Sequence, residues 1–181
     1  MVRLMHLNGP SGAGKSTLAQ RYVDDHPGVL NLDIDMVVSL IGGWRNDFFG
    51  TVSLARDIAV AMAETHLAGG RDVVMPQLVT SVAQAERFER AAHGVGATYV
   101  EVALMIEPGA QIGRFRIKTQ GSAVGTEVAR AVDAEGGDAV LMRIHRHFTE
   151  YLAQRRAVLR LDVSSDIDRS YRLLRESLSP R

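Results

Sequence analysis

Strand-length apolar segments alternate with segments of helical periodicity along most of the chain. Short, largely apolar segments predict five strands, within residues 2–8, 28–35, 71–79, 98–106 and 157–163. Apolar residues that recur three or four positions apart predict helices over residues 15–25, 51–68, 81–94, 139–156 and 166–178. Strands that are apolar on both sides and separated by helices are typical of a parallel sheet covered on both faces. We therefore expect a three-layer α/β fold around a five-stranded parallel sheet.

One long segment does not fit this alternation. Residues 108–136 are rich in glycine and charge, and their periodicity is weak. Segments of this length are often functional lids or variable excursions on the surface, and both interpretations stay open. We expect a single domain over residues 1–181, with a lid insertion at about 108–136.

Composition narrows the class of protein. The 21 basic and 21 acidic residues cancel, so no net charge favours nucleic acid or a membrane surface as a partner. The absence of cysteine excludes disulfides and thiolate metal sites. No apolar run reaches the roughly 20 residues of a membrane span, and the first residues lack a signal-peptide pattern. We expect a soluble cytoplasmic protein.

The most specific motif lies between the first predicted strand and the first predicted helix. The spacing Gly9-x-x-x-x-Gly14-Lys15-Ser16 fits G-x-x-x-x-G-K-[ST], the phosphate-binding P-loop, in the strand–loop–helix context that it requires. Backbone N–H groups would surround phosphate oxygens, Lys15 would reach the β- and γ-phosphates, and Ser16 would ligate Mg²⁺. The predicted ATP-binding residues are Gly9, Ser11, Gly12, Ala13, Gly14, Lys15, Ser16 and Thr17.

Other segments indicate what is done with the phosphate. A GTPase would need an Asn-Lys-x-Asp segment, but the only other lysine, Lys118, is followed by Thr-Gln. The P-loop, the Asp-Ile-Asp of residues 33–35, the segment 68–75 and the arginines after the fourth strand resemble the P-loop small-molecule kinases. Shikimate kinase, gluconate kinase and chloramphenicol phosphotransferase belong to this group. The resemblance implies a P-loop NTPase fold with a lid, and phosphoryl transfer that uses ATP and Mg²⁺.

Two aspartates end the second predicted strand. Asp33 and Asp35 are two positions apart, so in a continuing strand their side chains would face the same way, beside the P-loop. Shikimate kinase has a similar Asp-x-Asp, and this resemblance implies that Asp33 supports Mg²⁺ and that Asp35 binds the acceptor and acts as its base. The alternative is structural: Asp35 caps a helix that starts at Met36, and Asp33 lies in a turn.

The acceptor pocket has weaker signals. Residues 41–50 combine glycines with aromatic and arginine side chains, and Trp44 and Arg45 could contact a substrate. The alternative is that Trp44 and the two following phenylalanines anchor the core. Arg56, one helical face away, is another candidate substrate contact.

The segment after the third strand departs from the family pattern. It reads Met75-Pro76-Gln77 and contains no carboxylate, so Gln77 would be a neutral substrate contact. The three-glycine segment of a shikimate kinase is also missing, which disfavours shikimate as the acceptor.

Three cations follow Pro108 at alternate positions: Arg114, Arg116 and Lys118. An arginine that approaches the γ-phosphate can accelerate transfer by roughly 10³–10⁵-fold, and a lid would bring it in only when substrates are bound. We expect Arg114 or Arg116 to be catalytic, with Arg114 slightly favoured; the alternative is a solvated basic face. The resemblance implies an adenine contact around residues 161–166.

Three functions remain open. The first is an ATP-dependent kinase that phosphorylates a hydroxyl of a small metabolite or antibiotic, with ATP and the acceptor as its partners. The second is a nucleoside, nucleotide or polynucleotide-end kinase. The third is a regulatory protein that binds ATP without catalysis.

Overall fold

The computed structural model describes residues 1–118 and 123–179, except for the side chains of Phe49 and Lys118. Its strands are β1 (Arg3–Asn8), β2 (Leu30–Asn31), β3 (Val73–Pro76), β4 (Thr98–Met105) and β5 (Val158–Asp162). The helices within the described ranges are α1 (Lys15–Asp25), α2 (Ile34–Ser39), α3 (Phe48–Ala68), α4 (Val82–Gly94), α5 (Pro108–Lys118), α6 (Ala123–Ala134), α7 (Asp138–Gln154) and α8 (Ile167–Leu178). None of these helices has the length and apolar character that crossing a bilayer requires.

The five strands form one parallel sheet in the order β2-β3-β1-β4-β5. Alternate residues of the central strand β1 enter different cores: Leu4 packs with α2, α3 and α4, whereas Met5 and Leu7 pack with α1 and α8. The expected three-layer α/β architecture is confirmed. Because the strands are parallel, their carboxyl ends share one edge, where loops from several strands meet.

The second strand is shorter than expected. β2 ends at Asn31, and α2 starts at Ile34 because the Asp33 side chain accepts a hydrogen bond from the Asp35 backbone N–H at 3.0 Å. The prediction that both aspartates continue the strand is wrong. Asp33 is the helix cap, and Asp35 lies in the first helical turn.

Two boundaries further along the chain also differ from expectation. The weakly periodic segment 108–136 contains two helices, α5 and α6, and its residues 119–122 lie outside the described ranges. Ser81 is the N-cap of α4, as its position predicts, but its side chain makes no capping hydrogen bond. Ser81 and Gln84 have the spacing of a capping box, but without this bond the box is not formed.

Candidate active site

The P-loop wraps the start of α1, and glycine is required at two of its positions. Gly12 and Gly14 have φ of 92° and 87°, a region that other residues rarely adopt. A Cβ on Gly12 would also lie 2.5 Å from the Gln111 carbonyl oxygen and 3.0 Å from the Phe115 nitrogen. Gly12 therefore serves both the turn and the close packing of α5 on the loop.

Lys15 lies inside this loop, with 8% of its surface exposed. Its Nζ donates hydrogen bonds to the carbonyl oxygens of Gly9 at 2.7 Å and Pro10 at 3.1 Å. These acceptors are neutral, so phosphate oxygens would bind the ammonium group more strongly than they do. The side chain is thus held at the loop and can exchange carbonyl partners for a phosphate.

The largest set of predicted residues meets in one cavity of about 300 Å³, here called the central cavity. Ser11, Lys15 and Ser16 line its phosphate end. Asp35, Arg56 and Gln77 line the part next to it, although they come from α2, α3 and the loop after β3. The cavity therefore joins a phosphate-binding loop to a carboxylate that could accept a proton.

Ser16 and Asp35 also face a second cavity of about 410 Å³, together with Asp33. The hydroxyl and the two carboxylates are hard oxygen donors, which suit Mg²⁺. Protein sites for Mg²⁺ usually supply one or two carboxylates, and water and phosphate complete the shell. The donor set at Ser16 and Asp33 thus fits the metal that the motif implies.

Arg56 is a half-buried cation in the wall of the central cavity. Burial lowers the pKa of its guanidinium, and the nearby charge of Asp35 opposes that effect. Its Nε is buried, and nothing in the described part of the chain accepts a hydrogen bond from it. Because an unsatisfied buried donor is costly, a ligand oxygen at this point would be favourable.

Trp44 and Arg45 lie elsewhere. Trp44 is 5% exposed and belongs to the core cluster around α2 and α3, and the exposed Arg45 stacks on its ring at 4.4 Å. Within the described ranges, neither residue lines the central cavity, whereas Phe48 does. This position favours the core-anchor alternative for Trp44. The Phe49 side chain lies outside the described residues.

Arg114 and Arg116, both in α5, have separate partners. Arg114 donates to the backbone carbonyls of Val163, Ser164 and Ser165 at 2.8–3.2 Å. Arg116 pairs with Asp138 at 2.6 Å on the exposed side of α5. The side chain of the third predicted cation, Lys118, lies outside the described residues.

Arg114 borders a further cavity of about 300 Å³, here called the side cavity. The start of α1 forms one wall, with Ala13, Gly14 and Thr17, and the start of α8 forms another, with Asp166. The segment 161–166, for which the resemblance implied an adenine contact, supplies Val163 and Ser165 to this wall. The side cavity thus lies next to the last residues of the P-loop, Ala13 and Gly14.

Sequence reasoning missed a buried polar network behind the loop after β3. The Asn8 side chain donates to the Val79 carbonyl at 3.0 Å and accepts from the Val79 N–H at 2.9 Å. Asn8 also donates to Glu101, which accepts further hydrogen bonds from Tyr151 and Arg155. A glutamate within the apolar strand β4 was the available signal.

His6 supports the same loop. Its Nε2 lies 2.9 Å from the Gln77 carbonyl oxygen, so this nitrogen carries the proton and Nδ1 accepts from the Tyr99 hydroxyl at 2.6 Å. Burial lowers the pKa of His6, more than the charge of Glu101 raises it. His6 and Asn8, both on β1, thereby hold the cavity wall at residues 76–79.

Known proteins resemble this chain in sequence family and in fold. The AAA domain family model (AAA_33) matches residues 4–151, and no curated protein sequence matches the chain. Among solved structures, a presumed kinase of Chloroflexus aurantiacus is similar with a TM-score of 0.66 and 15% identity, over 98% of this chain and 96% of the other. The deoxyadenosine kinase of M. mycoides, with dCMP and dCDP bound, is similar with a TM-score of 0.57 and 12% identity, over 98% of both chains.

A third similar structure is a chain of the Pnkp1/Rnl/Hen1 RNA repair complex. The TM-score is 0.65 and the identity 11%, over 86% of this chain and 47% of the other, much longer one. At these identities the likeness extends to the fold alone. The fold of this chain is that of P-loop kinases.

Proposed function

The chain belongs to the AAA domain family, and on this premise we propose that it is an ATP-dependent kinase. It would transfer the γ-phosphate of ATP to a hydroxyl of a small molecule. The observation that carries the proposal is the central cavity, in which Lys15 and Ser16 of the P-loop and the carboxylate of Asp35 line one space. An acceptor bound in this space could present its hydroxyl both to that carboxylate and to the γ-phosphate.

The residues of the phosphate end act by position and charge. The backbone N–H groups of residues 9–16 and the Lys15 ammonium would hold the β- and γ-phosphates. Ser16 and Asp33 would hold Mg²⁺, which neutralises charge on the phosphates when bound. The base of ATP would occupy the side cavity, against Arg114 and the segment 163–166.

Asp35 would orient the acceptor hydroxyl and accept its proton. As the acceptor oxygen bonds to the γ-phosphorus, the bond from that phosphorus to the β–γ bridging oxygen breaks and ADP leaves. The proton of the hydroxyl passes to the Asp35 carboxylate. Arg56 and Gln77, which line the same cavity, would contact the rest of the acceptor.

The segment 108–136 would act as the lid of a single domain over residues 1–181. α5 packs on the P-loop at Gly12, and α6 contributes Val128 and Val132 to the cavity wall. Closure over bound substrates would exclude water and limit wasteful hydrolysis of ATP. Arg114 and Arg116 are the candidate catalytic arginines of this lid.

The test is ADP formation from MgATP with a panel of sugars, polyols, aminoglycosides, other antibiotics and nucleosides. We expect one class to stimulate turnover. Lys15→Ala and Asp35→Asn should both abolish the stimulation, and Asp35→Asn should still bind MgATP. Asp24→Asn is the matched control, because Asp24 is exposed on α1 and its side chain accepts a hydrogen bond from Gln20 of the same helix.

Other outcomes discriminate the alternatives. Stimulation by nucleosides alone would identify a nucleoside kinase. If MgATP binds through Lys15, no compound stimulates turnover and Asp35→Asn behaves as the wild type, the protein is a nucleotide-binding regulator and the kinase proposal is wrong.

A further inference from the structure

The walls of the central cavity beyond Asp35 are mostly apolar. Phe48 and Val52 come from α3, Leu78 from the loop after β3, Val132 from α6, and Leu141 and Ile144 from α7. Four separate parts of the chain thus present hydrocarbon to one space.

Polar groups in this part of the cavity are few. Arg56 and Gln77 lie near Asp35, and Glu135 and Arg143 lie 3.8 Å apart with side chains about half exposed. The second pair is mutually neutralising and faces solvent. A sugar or polyol would bury several hydroxyl groups against hydrocarbon, where each unsatisfied group weakens binding.

The size of the cavity limits the ligand. Its volume of about 300 Å³ equals that of about ten water molecules in the liquid. The phosphate end takes part of that space. The remainder suits a body of roughly six to ten non-hydrogen atoms.

Arg56 adds one polar requirement. Its buried Nε has no acceptor in the described residues, and its guanidinium is partly desolvated. A ligand oxygen that accepts from this group would satisfy the donor. The acceptor therefore needs one hydrogen-bond-accepting group besides the reacting hydroxyl.

Resting on the proposed kinase function, we propose that the phosphate acceptor is an alcohol with an apolar body and one hydrogen-bond-accepting group directed at Arg56. Sugars and polyols are excluded from this class. Each methylene buried in the cavity should improve binding about fourfold until the space is filled.

The test uses racemic 3-hydroxybutanamide, 3-hydroxypentanamide and 3-hydroxyheptanamide, in which the hydroxyl and the amide stay close together while the apolar body grows, with glycerol and sorbitol for comparison. We expect kcat/KM for acceptor-stimulated ADP formation to rise about fourfold per methylene along the amides. Glycerol and sorbitol should give no stimulation. Lys15→Ala should abolish the stimulation by every hydroxyamide.

Two variants locate the effect. Val132→Thr is nearly isosteric and should flatten the dependence of kcat/KM on chain length while leaving the KM for MgATP unchanged. The control, Val23→Thr in α1, lies away from the cavity and should keep the chain-length dependence of the wild type. Arg56→Met should remove the preference for 3-hydroxyheptanamide over 3-heptanol, which we expect to be about tenfold or more in the wild type.

The outcomes separate the two proposals. Stimulation by polyols, sugars, aminoglycosides or nucleosides, but not by the hydroxyamides, overturns the acceptor class and leaves the kinase function standing. Unchanged chain-length dependence in Val132→Thr also overturns the class. If no compound stimulates turnover although MgATP binds, both proposals are wrong.

Discussion

At the end of the central cavity beside the P-loop, one continuous segment, residues 9–16, would supply the phosphate-binding groups, and most of these are backbone N–H groups. At the other end, where we propose that the acceptor binds, side chains from α2, α3, α6, α7 and the loop after β3 meet, although they are far apart in the chain. The two ends share Asp35 as their neighbour. A local backbone site keeps its geometry when surface side chains change, whereas an assembled side-chain site changes with each substitution.

This difference explains how one fold can accept many substrates. The phosphate end depends on glycine conformations and on one lysine, which leave little room for variation. The acceptor end depends on packing and on the buried network of Asn8 and Glu101, which holds the loop after β3 from behind. We expect substitutions at the two ends to fail in different ways.

The largest effect should come from the network behind the acceptor wall. Arg155 donates to Glu101, which is 1% exposed, and also pairs with Glu89. Arg155→Met would leave the Glu101 carboxylate buried without its cation, so we expect the free energy of unfolding to fall by about 3–5 kcal/mol. Urea denaturation measures this. Arg90→Met, at an exposed arginine of α4, should change stability by less than about 0.5 kcal/mol; equal losses in both would contradict the structural role of the network.

A smaller effect should arise at the phosphate end. Gly12→Ala places a methyl group against the Gln111 carbonyl in a backbone conformation that alanine rarely adopts, so we expect a loss of about 1–3 kcal/mol in stability. MgATP affinity should fall with it. Gly113→Ala is the control, because its Cβ would meet open space and α5 would be stabilised by up to about 1 kcal/mol. Calorimetric titration measures the MgATP affinity of the two variants, and thermal unfolding measures their stability. Equal MgATP affinity in Gly12→Ala and Gly113→Ala would be evidence against the geometry of the loop.

Substitution of Arg114 should weaken MgATP binding about tenfold more than substitution of Arg116 does. Arg114 makes three hydrogen bonds to the segment that lines the side cavity, so Arg114→Met should weaken MgATP binding about tenfold. Arg116 forms an exposed pair with Asp138, so Arg116→Met should leave MgATP affinity and stability nearly unchanged. Steady-state kinetics of both variants measures the KM for MgATP and kcat. A large loss of kcat in Arg116→Met alone would assign the catalytic role to Arg116.

The smallest effect depends on pH. In the unfolded chain His6 takes up a proton near its ordinary pKa of 6.5, but burial lowers this pKa in the folded state. The unfolded state therefore binds more protons below that pH, and His6 should lower stability by at most about 1.4 kcal/mol for each unit of acidification. Urea denaturation at pH 7, 6 and 5 should show a shallower slope for His6→Gln. Identical slopes would mean that His6 is protonated equally in both states.

The sequence alone determined the five-stranded parallel sheet and the place of the P-loop between the first strand and the first helix. Apolar strand-length segments and helical periodicity identify strands and helices, because a strand of a covered parallel sheet buries both faces and a helix buries one. The P-loop could be found because its function depends on neighbouring residues at fixed spacing. Asp35 could be named from its place after the second strand, but the strand itself ends earlier, since Asp33 caps a helix there.

Only the tertiary structure decided how the acceptor end is assembled. It placed Trp44 in the core, Arg114 against the segment after β5, and Arg56 beside Gln77 in the central cavity. It also revealed that Asn8, next to the P-loop, holds the opposite wall through Val79. The residues joined in this way lie far apart in the chain, 49 positions for Arg114 and Val163 and 71 for Asn8 and Val79. Local periodicity carries no information about which distant side chains the packed core brings into contact.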